Sequence, residues 1–133
     1  MKKLLISAFV AIVACLMTAC SSNNSPSAAA EQYANYIMKS DYESAINMIH
    51  FKGTPEEVQG QRDYYLQIIE SKVEDGLPDD KKMTKYEVTK EEVDEENGKA
   101  TVTANVTYAN GKTKEETTKL VKTDDGWFVD GEK

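Results

Sequence analysis

The chain is short of the residue types that mark most chemistry. Its 133 residues hold two cysteines, one histidine, one tryptophan and three prolines. Both cysteines, Cys15 and Cys20, lie in the first twenty residues. The remainder therefore carries no internal disulfide and no cysteine metal site. A lone histidine, His50, excludes His-rich metal binding. Basic residues are scarce too: 16 Lys and Arg against 23 Asp and Glu give a formal charge of −7. Phosphate neutralisation needs clustered Lys and Arg, so nucleic acid is excluded as a partner. No nucleophile elbow, phosphate-cradling glycine loop or zinc-protease pattern occurs, and no cofactor is implied. Long apolar runs are confined to residues 4–17.

That run follows Met1-Lys2-Lys3 and is broken only by Ser7, the order of a secretory signal. It is too short to span a bilayer core, which takes about 20 apolar residues. Leu16-Met17-Thr18-Ala19-Cys20 then resembles the end of a bacterial lipoprotein signal, where small residues precede a cysteine that receives diacylglycerol. Met17 departs from that pattern, standing where leucine is commonest. Ile12-Val13-Ala14-Cys15 matches that local pattern better, but would shorten the apolar run and leave Leu16 and Met17 on the mature terminus. Cys20 is the expected lipidation site and Cys15 its alternative. The resemblance implies a membrane anchor through acyl chains on Cys20, each buried CH₂ contributing about 0.8 kcal/mol. Without residues 1–19 the charge becomes −9, because Lys2 and Lys3 go with them, and about a third of what remains is apolar. Residues 20–26 read as the lipidated cysteine and a polar tether of roughly 20 Å. Ser21-Ser22 after the cysteine, without acidic residues, resembles outer-membrane lipoproteins facing the periplasm.

Residues 27–133 read as one α+β domain. Ser25-Pro26 opens a helix with a cap and a first-turn proline. Ala29, Tyr33, Tyr36 and Ile37 form its apolar face. Ser40-Asp41-Tyr42-Glu43 has the spacing of a capping box for a short second helix with Tyr42, Ala45, Ile46 and Ile49. Thr54-Pro55-Glu56-Glu57 starts a longer third, striped by Val58, Arg62, Tyr65, Ile69 and Val73, widened by Leu66 and Ile68 and ended by Gly76 and Pro78. Beyond Lys82 the apolar period becomes two. Asn97-Gly98, Asn110-Gly111 and Asp125-Gly126 are hairpin dipeptides suited to primed turns, joining four strands near 83–95, 99–109, 112–122 and 127–131. An antiparallel meander with one apolar face needs a cover, and three helices are available for it. The run from Glu91 to Glu96 reads as a solvated strand end that discourages edge pairing.

Helices before a curved meander with a closing aromatic strand resemble the nuclear transport factor 2-like (cystatin-like) fold. The residues carrying the likeness are Ser27-Ala28-Ala29-Ala30-Glu31-Gln32-Tyr33 and Lys39-Ser40-Asp41-Tyr42-Glu43-Ser44-Ala45. To these add Thr118-Lys119-Leu120-Val121-Lys122 and Asp124-Asp125-Gly126-Trp127-Phe128-Val129-Asp130. The chain is more closely similar to small bacterial lipoproteins of a domain-of-unknown-function family once labelled lumazine-binding-like. The resemblance implies a conical cavity between sheet and helices, used by some members for catalysis and by others for binding.

Enzymes of that fold place an acid or histidine at the cavity floor, where an apolar pocket raises a carboxyl's pKa. Ala100, Val102, Ala104, Val106 and Tyr108 offer no such group. If Leu120 faces inward, Glu116 and Lys114 share its face; if Val121 does, Glu115 and Lys119 do. Glu116 is thus one acid/base candidate, expected near the rim, and His50 is the other. His50 is better explained as a cation at the second helix's C-terminus. Of seven tyrosines, Tyr33, Tyr36, Tyr65, Tyr86 and Tyr108 fall on core faces beside Trp127, filling the core or lining a pocket. The expectation is a non-enzymatic envelope lipoprotein binding a protein partner or small ligand. The alternatives are a cavity enzyme of the isomerase or dehydratase kind and a structural accessory subunit using its Thr-rich sheet face. A sealed, aromatic-filled interior would count against both the enzyme and the small ligand.

Overall fold

A computed structural model describes residues 24–131; Cys15, Cys20 and the signal segment lie outside them. Helix α1 spans Pro26–Met38, α2 Tyr42–Asn47 and α3 Pro55–Glu74. Strand β1 is Ile49–His50, β2 Met83–Asp94, β3 Lys99–Tyr108, β4 Thr113–Thr123 and β5 Gly126–Asp130. The sheet order is β1-β5-β4-β3-β2. The four-stranded meander is therefore present, but the sheet is five-stranded and mixed, because β1 pairs with β5 in parallel. The second helix ends at its C-cap, Met48. Its Met48 carbonyl then accepts from Val129 N–H (2.8 Å), and the His50 carbonyl accepts from Gly131 N–H (3.0 Å). Ile49, expected on the second helix, thus belongs to a strand.

Local signals at the helix starts are realised unequally. At α3 the capping box is complete: Glu57 N–H donates to Thr54 Oγ1 (3.2 Å) and Thr54 N–H donates to Glu57 Oε1 (2.8 Å). The box expected at Ser40 does not form. Ser40 instead takes φ +65° where α1 ends, with Asp41 N–H bonded to Tyr36 O and Ser40 N–H to Ile37 O. This left-handed closure commits Ser40 to the end of α1, so Asp41 caps α2, accepting from Ser44 N–H. The hairpin dipeptides also differ from expectation. Asn97, Asn110 and Asp125 keep ordinary negative φ, and only the glycines after them are left-handed. The turns are therefore not primed.

The core has two parts. Ala29 and Ala30 of α1 pack on Met48, Ala100, Val102, Leu120 and Trp127, flanked by Tyr33, Tyr36, Tyr86 and Val88. The second part is Ile46, Ile49 and Phe51, flanked by Tyr33, Tyr65, Leu66, Ile69, Val58 and Val129. Helix α1 alone crosses the sheet, touching every strand from β2 to β5. The long α3 packs on α2, and none of its twenty residues is fully buried. Its apolar stripe was legible, yet it covers the second cluster and not the sheet face.

Candidate functional site

Register decides which side chains share the concave face. Leu120 pairs with Ala100 and Glu116 with Ala104, and Leu120, Ala100 and Ala104 are all buried. Leu120 is therefore the inward residue, and Glu116 and Lys114 lie on its face. At this uncovered end the Tyr108 hydroxyl donates to Glu116 Oε2 at 2.8 Å, while Lys114 Nζ sits 5.7 Å from the centre of the Tyr108 ring. Burial first, then the Glu116 hydrogen bond and charge, push the Tyr108 pKa up to about 12. Tyr108 was expected in the core; it stands outside both clusters, at an end of the sheet where only the short 3-10 turn Asp79–Lys81 lies against β3. Glu116 is exposed, as expected at a rim.

His50 sits in edge strand β1, opposite Asp130. It is not a helix cap, since α2 has already ended at Met48. The two acid/base candidates are thus not brought together: Glu116 lies at the uncovered end of β4, whereas β1 is the far edge of the sheet.

A different acid approaches the sheet from α1. Glu31 is half-buried, and burial raises its pKa above the usual carboxylate range. Its charge in turn raises the pKa of Tyr86, after the larger effect of that ring's own burial. Tyr86 belongs to β2 and Thr118 to β4, so the ring reaches across β3 to bring its hydroxyl beside Thr118. The Tyr86 oxygen is buried and makes no hydrogen bond of good geometry, although the Thr118 hydroxyl lies close enough to lower its pKa. Glu31, Tyr86 and Thr118 thus form a small polar seam between α1 and the sheet. Nothing in the sequence marked Glu31: it follows three alanines on a helix whose sheet-facing side only the packing reveals.

Two predictions belong to this seam. Tyr86→Phe removes a buried hydroxyl that makes no hydrogen bond of good geometry and should leave stability unchanged or raise it by up to about 1 kcal/mol, read by urea unfolding. For Glu31, a raised folded pKa means the folded state holds the proton more tightly than the unfolded chain. Its contribution is complete below the ordinary glutamate value and is lost as pH rises through the folded value. Glu31→Gln should therefore stabilise at pH 7, by no more than about 0.5 kcal/mol given solvent screening of a half-exposed group. The gain should vanish in melts near pH 4; an equal gain at both pH values would exclude the ionisation as its cause.

At the other end of the face, Glu91 is inward. A bulge at Thr89 shifts the register between Val88 and Lys90, so that Glu91 pairs with buried Val102. Its Oε2 accepts from Ser27 N–H (2.9 Å) and Ser27 Oγ–H (2.8 Å). Helix α1 has no acid in its own first turn, and the sheet supplies one where the helix dipole favours it. The expectation that residues 91–96 are all solvated fails at Glu91 for that reason.

Two clefts among the described residues lie elsewhere. One is an open depression lined by Lys52, Glu57, Gly60, Gln61 and Tyr64. The other, about 210 Å³, separates α2 from α3 and includes Glu43, Arg62 and Asp63. Neither borders Glu31, Tyr86, Tyr108 or Glu116. The remaining aromatics act as packing: Trp127 is buried, with Lys122 Nζ 6.0 Å from its ring centre, and Tyr65 lies against Phe51 with ring centres 5.3 Å apart. Among the described residues no three His, Cys, Asp or Glu side chains group as metal ligands, and no helix is long and apolar enough to cross a membrane.

The family model described as "Domain of unknown function (DUF4878)" matches residues 18–130. The chain belongs to that family. The fold of this DUF4878 domain is similar to that of a Campylobacter jejuni protein whose 2.00 Å crystal structure is described as that of a "Putative NTF2-like transpeptidase". The TM-score is 0.60 at 15% identity, over 80% of this chain and 98% of the other. That likeness establishes an NTF2-like fold for the DUF4878 domain, with a five-stranded mixed sheet. No curated protein matches it.

Proposed function

We propose that the protein is a lipid-anchored component of the bacterial cell envelope, held at the outer membrane facing the periplasm through acyl chains on Cys20. Its NTF2-like domain serves as a non-enzymatic binding or accessory module for another envelope protein. One observation carries the non-enzymatic reading: α1 lies directly on the sheet where a ligand cavity would be. Ala29, Ala30 and Ala34 are at most 1% exposed, as are Val102, Ala104 and Leu120 across from them. Small side chains on both surfaces permit that close approach, and Trp127 and Met48 fill the rest.

Trp127 is the only tryptophan, so its fluorescence reports on this interior alone. The intact protein should show emission that acrylamide barely quenches and that ring-shaped ligands leave unchanged. A saturable change on adding such a ligand would overturn the closed-interior reading. For the anchor, Cys20→Ala should abolish incorporation of labelled palmitate; retained label would move the site to Cys15.

A second reading, acid–base chemistry, is favoured by the raised pKa of Glu31 beside the Tyr86 hydroxyl. It would run through Glu31 and not through Glu116 or His50. Turnover lost in Glu31→Gln but kept in Glu116→Gln would establish it.

A further inference from the structure

The outer edge of β2 is a twelve-residue strand with no proline, and among the described residues no strand pairs with it on that side. Unpaired edges of this length template association unless charge or distortion prevents it. Here the charges follow a pattern. Lys85, Glu87, Lys90 and Glu92 are exposed, and register places all four on the outward face, opposite Thr107, Asn105, Thr103 and Thr101. Asp94 continues the outward series at the strand's last residue; inside it, in a domain this acidic, the four balance to zero. Of the two irregularities in β2, the one at Thr84 lies outside this stretch, and the Thr89 bulge falls midway among the four charges, two on either side.

We propose that β2 pairs antiparallel with β2 of a second copy about a two-fold axis through the bulge, joining two five-stranded sheets. That arrangement sets Lys85 opposite Glu92 and Glu87 opposite Lys90 of the other copy, and each contact occurs twice. Any other antiparallel alignment of the same two strands loses at least part of this matching, because the bulges no longer coincide and the outward charges shift out of register. The bulge that would guard the edge against a regular strand is met by its own symmetry mate. Lys90 and Glu92, 62% and 64% exposed, now pair with each other along the strand at 3.6 Å. Such a surface pair is worth little and is readily exchanged for contacts to a partner. The occupant is a second copy because the charge pattern is complementary to itself. Main-chain hydrogen bonds along the joined edges supply affinity, and the side-chain pairs select the register.

The test uses the full chain in detergent micelles, with mass from analytical ultracentrifugation at about 1–100 µM protein. Wild type should populate a dimer. Lys85→Glu sets two glutamate pairs face to face and should weaken dimerisation at least tenfold. The double variant Lys85→Glu/Glu92→Lys reverses both partners and should recover wild-type association to within about threefold. All four positions are exposed, and circular dichroism checks that each variant is folded. A wild-type monomer throughout the range overturns the proposal, as does a dimer that is indifferent to Lys85→Glu or that the swap fails to rescue. A monomer whose β2 amides are nevertheless protected from hydrogen exchange would assign the edge to a different strand, and overturns it as well.

Discussion

Leu120→Ala should lower the unfolding free energy by about 2–5 kcal/mol, the range for a large buried aliphatic cut back to a methyl. Leu120 is among the largest wholly buried side chains, at 0% exposure. It sits on central strand β4, paired with Ala100 on one side and Val129 on the other. Its cluster neighbours include the α1 alanines and Trp127. Alanines cannot lean into a cavity as longer side chains do, so collapse around the truncated residue should be poor and the cost toward the upper end. For a domain whose total stability is about 5–15 kcal/mol, the melting temperature should fall by roughly 10 °C or more. Val121→Ala is the control. Val121 is half-buried on the opposite face and should cost about 1 kcal/mol or less. Equal losses at the two positions would refute the assigned face of β4, and with it the placement of Glu116 and Lys114.

Gly131→Ala should cost about 1–3 kcal/mol, the range for forcing atoms into a packed site. A Cβ at Gly131 would stand 2.7 Å from the His50 carbonyl oxygen, 2.9 Å from Ile49 Cγ2 and 3.0 Å from Phe51 Cδ1. The nearest of these is backbone, so relief requires β1 to move off β5. Ile49 and Phe51 also belong to the cluster under α3, so the damage should reach that helix. Hydrogen exchange should show α3 amides opening at least tenfold more readily while β3 amides change by no more than the global loss. Gly60→Ala gives the opposite sign. Gly60 lies inside α3 with nothing within 4 Å of a Cβ, so alanine should stabilise by about 0.5–1 kcal/mol. Loss of stability at Gly60, or none at Gly131, would contradict the packing described.

These effects separate what local pattern encodes from what it does not. The three helices, their apolar stripes and the order of the four long strands were legible because each rests on short-range physics. Thr54-Pro55-Glu56-Glu57 caps a helix whatever surrounds it, and Ala100 to Val106 alternates because a strand does. Expectations failed where two elements compete for one residue or where a partner is distant in sequence. Ser40 could cap α2 or close α1, and the left-handed closure took it. The dipeptide of β1 is too short to carry a period and exists only because β5 offers its amides.

The candidate site shows the same division more sharply. The sequence left two faces open for β4 and so could not say whether Glu116 or Glu115 looked inward. Pairing with β3 chose Glu116, yet left it exposed, beyond both buried clusters. Glu91 read as one more solvated acid, and a bulge two residues earlier turned it beneath the N-terminus of α1. Glu31 lay in a stretch that carried the likeness to the fold but no sign of a chemical role. By itself the sequence determined the acidic composition, the helix-then-meander order, the confinement of cysteine to the first twenty residues and of histidine to position 50, since these depend on residue counts and near neighbours. Only the tertiary structure decided that α1 closes the sheet and that Glu31 meets Tyr86, because contacts across fifty or more residues are set by register and packing. Neither leaves a trace in local spacing.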